Sequence, residues 1–101
     1  MPNLEITNVS KGNYYIKGDL TFRTITLKTL KAIEVKAAST INIDLQQINK
    51  IDSAGLALLI EWIGFARIHH TELQFDNIPT QLTALAKLSY LSETDLFTIK
   101  E

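Results

Sequence analysis

Two short stretches near the N-terminus alternate apolar and polar residues, Leu4 to Val9 and Asn13 to Gly18, with Ser10, Lys11 and Gly12 between them. A period of two is the pattern of a half-buried strand, so the pair predicts two strands joined by a tight turn. Gly18 and Asp19 punctuate the end of the second. From Thr24 to Ala38 the apolar positions Leu27, Leu30, Ile33 and Ala37 recur at near-helical spacing. This predicts a first helix, although Thr24, Ile25, Thr26 and Thr29 are poor helix formers. Alternation returns over 40–48, where Ile41, Ile43 and Leu45 oppose Asn42, Asp44 and Gln46 in a third strand. A second helix runs from Ser53 to about His69, and 72–78 form a fourth strand. Pro79 suits the first turn of a third helix carrying Leu82, Leu85 and Leu88. The tail DLFTI, 95–99, predicts a last short strand.

The order ββαβαβαβ places the chain in the α/β class, with helices layered on a mixed β-sheet through right-handed parallel crossovers. In such units the loops after the strands gather along one edge of the sheet. Asp19 to Phe22, Asp52 to Gly55 and Asp76 to Pro79 are therefore expected to be neighbours.

The junction at 51–55, Ile-Asp-Ser-Ala-Gly, is the most informative point of the chain. Asp or Ser at a helix start accepts hydrogen bonds from backbone N–H groups that lack a partner, a contribution of about 1 kcal/mol. Asp52 and Ser53 are thus read as helix caps, or alternatively as a docking or phosphorylation point. A phosphoserine at a helix N-terminus would be favoured by the dipole and opposed by Asp52. Gly55 would let another chain approach the first turn closely.

Projected at 100° per residue, the second helix centres one apolar face on Leu56, Leu59, Ile63 and Ala66, flanked by Ile60 and Trp62. Leu58 and Phe65 fall beyond Trp62, so the apolar arc is roughly 200° wide, against the ~100° stripe a surface helix needs. Either a partner surface or this chain's own first or third helix accounts for the excess, or Leu58 and Phe65 are scattered exposed hydrophobes of the ordinary kind.

Composition narrows the functions. A chain of 101 residues reads as one domain, 1–101, burying roughly two-thirds of the surface its unfolded form exposes. Ten basic and eleven acidic residues give a net charge of −1 with no basic cluster, which argues against a nucleic-acid partner. Cysteine is absent, excluding disulfides and thiolate sites and fitting a reducing cytoplasm. The N-terminal stretch lacks the pattern of a secretory signal. No run reaches the ~18 apolar residues of a membrane span, so no direct membrane insertion is expected.

No catalytic constellation emerges. There is no phosphate loop, glycine fingerprint or metal-binding His spacing. His69 and His70 read as a solvated helix C-terminus, and Ser53 has no evident His and acid partners. Asp44, Asp52 and Asp76 read as turn and cap residues. The chain is read as a non-enzyme with no cofactor and no metal.

The segment INIDLQQINKIDSAGLALLIEW resembles the central motif of STAS domains, a strand ending in hydrophobic-Asp-Ser/Thr-x-Gly-Leu that leads into the second helix. YYIKGDL and LQFDNIPTQLTALAKLSYL resemble further parts of that family, so nearly the whole chain is covered. The resemblance implies helices mainly on one face of the sheet, no catalysis, and a protein-binding surface around the Asp-Ser loop and the second helix, drawn from Asp52, Ser53, Gly55, Leu58, Trp62 and Phe65. Two branches of the family compete. Anti-sigma-factor antagonists are phosphorylated by a kinase-type anti-sigma factor on the hydroxyl residue after the Asp, which is Ser53 here. The other branch is the small cytoplasmic STAS subunit of the Mla phospholipid-transport ABC complex, which maintains outer-membrane lipid asymmetry. It binds the ATPase subunit and through it lies peripheral to the inner membrane. DSAGLALLIEW followed by ALAKLSYL resembles the second branch more, because Ala54 and Ala57 depart from the antagonist pattern.

Overall fold

Strand β1 (Leu4–Ser10) turns at Lys11 and Gly12 into the antiparallel β2 (Asn13–Leu20). Gly12 has φ +77, a left-handed conformation that glycine adopts without penalty, and its carbonyl accepts from the Asn42 N–H at 2.7 Å. This is the computed structural model of the chain, and it describes residues 3–35 and 39–88. A short helix α1 (Leu27–Leu30) follows, then β3 (Thr40–Ile51), helix α2 (Ser53–Ile68), β4 (Glu72–Asp76) and helix α3 (Thr80–Leu88). The expected final strand at 95–99 lies outside the described residues.

The sheet order is β1-β2-β3-β4, with β3 parallel to both β2 and β4. Both parallel crossovers step in the same direction across the sheet, so right-handedness puts their helices on one face. Burial agrees. Ile16 and Leu20 of β2, Ile41, Ile43 and Leu45 of β3, and Leu73 and Phe75 of β4 are buried with Leu56, Leu59, Ile63 and Ala66 of α2 and Leu82 and Ala86 of α3. The alternate residues Lys17, Gln46 and Asp76 are exposed. The fold is the α/β arrangement expected, a mixed sheet with its helices on one face.

Three local expectations change. The first helix is four residues long, not a run from Thr24 to Ala38. Its start is a capping box in which the Thr26 N–H donates to Thr29 Oγ1 at 3.0 Å, and at its end the Leu30 carbonyl accepts from Trp62 Nε1 at 3.1 Å rather than from a following helical N–H. Beyond the helix, the Glu34 N–H donates to the Tyr14 hydroxyl at 3.0 Å, where a continuing helix would send it to the Leu30 carbonyl. Strand β3 runs to Ile51 rather than ending near Ile48. Its alternation fails at Gln46-Gln47 because the register with β2 shifts between Tyr15 and Lys17, and again after Gly18. Pro79 precedes α3 rather than opening it, and its carbonyl accepts from the Leu82 N–H at 3.0 Å.

Candidate functional site

The end of β3 delivers Asp52 in an extended conformation, φ −131 and ψ −170, as the N-cap of α2. One carboxylate oxygen, Oδ1, accepts from the backbone N–H groups of Ala54 at 2.9 Å and Gly55 at 3.2 Å. The other, Oδ2, accepts from the Phe22 N–H at 3.2 Å, across a separation of thirty residues. The Asp52 N–H in turn donates to the Leu20 carbonyl at 3.4 Å. A single side chain therefore satisfies donors that the helix start leaves open and pins the loop after β2 to them. A negative charge at this end also complements the helix dipole.

Asp52 being the cap, Ser53 is left as the first helical residue, exposed to solvent. Gly55 is buried, and a Cβ there would run into the Leu20 carbonyl oxygen and lie 2.8 Å from Ile51 Cγ1. The close approach expected of another chain is made by this chain's own β2. Glycine is required so that α2 can start directly against the strand ends.

The loops after β2 and β3 meet as expected, through the Phe22–Asp52 contact. The third loop does not join them. Asp76 pairs with Asp44, seven residues before β3 ends at Ile51, so Asp76 to Pro79 lie well back along the sheet. There Asp44 Oδ1 accepts from the Gln46 N–H at 2.9 Å and the Asn77 amide at 3.0 Å, the work of a turn residue. Because β3 overshoots β4 by that length, the three carboxylates Asp44, Asp52 and Asp76 do not converge.

The wide apolar arc of α2 divides differently from its helical projection. Leu58 is 2% exposed and Trp62 fully buried, so neither presents a surface to solvent. Trp62 Nε1 donates to the Leu30 carbonyl at 3.1 Å, so the α1 segment covers this side of α2, and Leu58 lies one turn before Trp62 on the same side. Phe65 is exposed at 41%. Ile60, expected to flank the core, is exposed as well, and so is Ile68.

Sequence reasoning gave no role to Phe22, which is 70% exposed beside the α2 N-terminus. The Arg23 guanidinium lies 5.8 Å from its ring centroid, within cation–π range. Phe22, Arg23, Asp19, Thr21, Lys50 and Asp52 line a depression of about 290 Å³. An aromatic two residues past a strand end, in a loop rich in threonine, was the available signal. Among the described residues, no group of three or more His, Cys, Asp or Glu could hold a metal ion, and no helix is long and apolar enough to cross a membrane.

The strand-loop-helix junction, with its capping Asp, exposed hydroxyl and glycine seated on the neighbouring strand within a mixed sheet covered on one face, fits the STAS motif that the sequence resembles. The family model described as "Mlab, STAS domain" matches residues 15–98, and the chain belongs to that family. No curated protein matches the chain.

Proposed function

We propose that the chain is the non-catalytic STAS subunit of a phospholipid-transport ABC complex that maintains outer-membrane lipid asymmetry. It binds the ATPase subunit in the cytoplasm, supports its activity, and is held near the inner membrane only through that partner. The observation that carries this reading is the match to the family model described as "Mlab, STAS domain" over most of the chain. STAS domains are generally non-catalytic and interact with other proteins.

The docking surface in this reading is the start of α2 with its outer flank. Ser53, Phe22 and Phe65 are its accessible groups. Asp52 and Gly55 act by position, fixing the loop and the helix against each other. Leu58 and Trp62 support the surface from beneath, as core.

The test is co-expression with the ATPase subunit of an Mla-type complex, followed by affinity capture and titration. Ser53→Glu, Phe22→Gln and Phe65→Gln are each expected to weaken binding by about tenfold or more at an interface anchor, with unchanged melting temperatures. An ATPase that does not bind the wild type, or binds all three variants as tightly as the wild type, overturns the reading.

One observation favours a second reading, an anti-sigma-factor antagonist: the Ser53 hydroxyl is exposed directly after the capping Asp, where a kinase could reach it. Incubation with a kinase-type anti-sigma factor and ATP would then add one phosphate at Ser53, detected by mass spectrometry.

A further inference from the structure

Helix α2 carries a second pattern on the face turned away from the sheet. Around Gly64 the sequence runs Ile60-Glu61-Trp62-Ile63-Gly64-Phe65-Ala66-Arg67-Ile68. Apolar then acidic on one side of the glycine is mirrored by basic then apolar on the other, at equal spacing. Residues three and four away are a helical position's nearest surface neighbours, so Ile60, Glu61, Arg67 and Ile68 frame Gly64. All four are exposed, Ile68 at 72%.

Glycine inside a helix is unfavourable relative to alanine, and nothing within the described chain requires it here. A Cβ at Gly64 would meet no atom within 4 Å, in contrast to Gly55, where it would strike β2. The glycine leaves an open notch at the centre of a frame whose charges are arranged to complement themselves.

We infer that this face binds a second copy of the chain, with the two α2 helices antiparallel about a two-fold axis at Gly64. In an isologous contact each residue meets the same partner reciprocally. Gly64 meets the second copy's Gly64, Ile60 meets its Ile68, and Glu61 meets its Arg67, so every exposed isoleucine and both charges are matched twice. Missing β-carbons at the crossing allow the backbones to approach closely. The charges also choose the orientation. A parallel pairing in register would set Glu61 on Glu61 and Arg67 on Arg67, a like-charge arrangement that is disfavoured. Arg67 already interacts within its own chain, and its guanidinium has five donors, so the pairing does not need it unoccupied.

A single helix pair lies at the small end of specific interfaces, below ~1,200 Å², so the association is weak and depends on concentration. Self-association does not depend on the proposed function. Its consequence for regulation does: a face occupied by a second copy is closed to an ATPase approaching the outer side of α2, so dimer and complex exclude each other.

Sedimentation velocity of the isolated protein tests this over about a hundredfold range of concentration. The wild type is expected to show a reversible monomer–dimer equilibrium. Gly64→Leu fills the notch and is expected to weaken the dimer by about tenfold or more while leaving the melting temperature unchanged or higher, because the new side chain enters open space. Glu61→Arg and Arg67→Glu are each expected to weaken it about as much, and combining them to restore affinity to within about threefold, a recovery that loss of an intrachain contact cannot produce. A wild type that sediments as a monomer throughout overturns the inference. So does a Gly64→Leu dimer as tight as wild type, or a double variant no tighter than the singles. No ATPase is present, so failure here leaves the proposed function standing, and failure of that function leaves the dimer standing.

Discussion

Replacing Asp52 separates two jobs that one carboxylate performs. Asp52→Ala removes the acceptor for the Ala54 and Gly55 N–H groups and the acceptor for the Phe22 N–H. Loss of an N-cap costs about 1 kcal/mol within a range of roughly 0.5–2. The charge at the helix N-terminus contributes about 0.3–1 kcal/mol more. The long-range bond to Phe22 contributes about 0.5–1.5 kcal/mol, so a total near 2–3 kcal/mol is expected. Asp52→Asn keeps a side-chain oxygen for the cap but loses the charge and puts an NH₂ group where Oδ2 faced Phe22. Its expected cost is about 1–2 kcal/mol, the charge and the Phe22 bond without the cap. Urea unfolding followed by tryptophan fluorescence is well suited to the measurement, because Trp62 is the only tryptophan and is fully buried. Asp52→Ala should also lower the melting temperature by about 10–20 °C, given the ~4–8 °C that 1 kcal/mol shifts a domain of this size. A cost for Asp52→Ala below about 0.5 kcal/mol, or equal costs for the two variants, would refute the assignment of Asp52 as both cap and loop clamp.

Gly55→Ala should destabilise by more than about 2 kcal/mol, the overpacking range, because its Cβ would collide with the Leu20 carbonyl; equilibrium unfolding with a cost under ~0.5 would contradict that packing. Trp62→Phe should cost about 1–2 kcal/mol through loss of the Nε1 bond to the Leu30 carbonyl and of ring volume, read by thermal melting monitored by circular dichroism since the fluorophore is gone. Leu58→Gln should cost about 3 kcal/mol or more by placing an amide in the core, whereas Phe65→Gln should stay within about 1 kcal/mol of wild type; similar melting temperatures for the two would show that both sit in the same environment.

Alternation was readable where pairing stays in register, as over Leu4–Asn8 of β1 against Tyr14–Gly18 of β2 and over the first half of β3. It failed where β3 bulges against β2, since an irregular register breaks the period of two and leaves Gln46 and Gln47 both exposed. The apolar spacing from Leu27 to Ala37 looked helical because Leu30 and Ile33 do face the core, yet the Glu34 N–H and the Leu30 carbonyl, which a longer helix would join to each other, bond to Tyr14 and Trp62 instead. At α2 the projection placed side chains correctly around the axis but could not say which directions face solvent. That depends on the α1 segment, brought over Leu58 and Trp62 by contacts more than thirty residues apart in sequence. That Asp52 or Ser53 caps the helix was legible, but not that Asp52 alone does. Its second bond, to Phe22, was not legible either, because it depends on how far each strand extends.

The adjacent polar residues at the head of α2 were ambiguous in sequence because either could cap the helix. Geometry removes the ambiguity through valence. Asp52 has two carboxylate oxygens, and both are engaged by backbone donors, so Ser53 has no capping work left. A residue relieved of a structural duty at an exposed helix start can be changed with little cost to folding. Ser53→Ala is therefore expected to keep the wild-type melting temperature, less than about 0.5 kcal/mol away, while Asp52→Ala does not. The contrast gives Ser53 its diagnostic value: any change in partner binding that follows its substitution reports on the surface itself, because the cap beneath it is held by a different side chain.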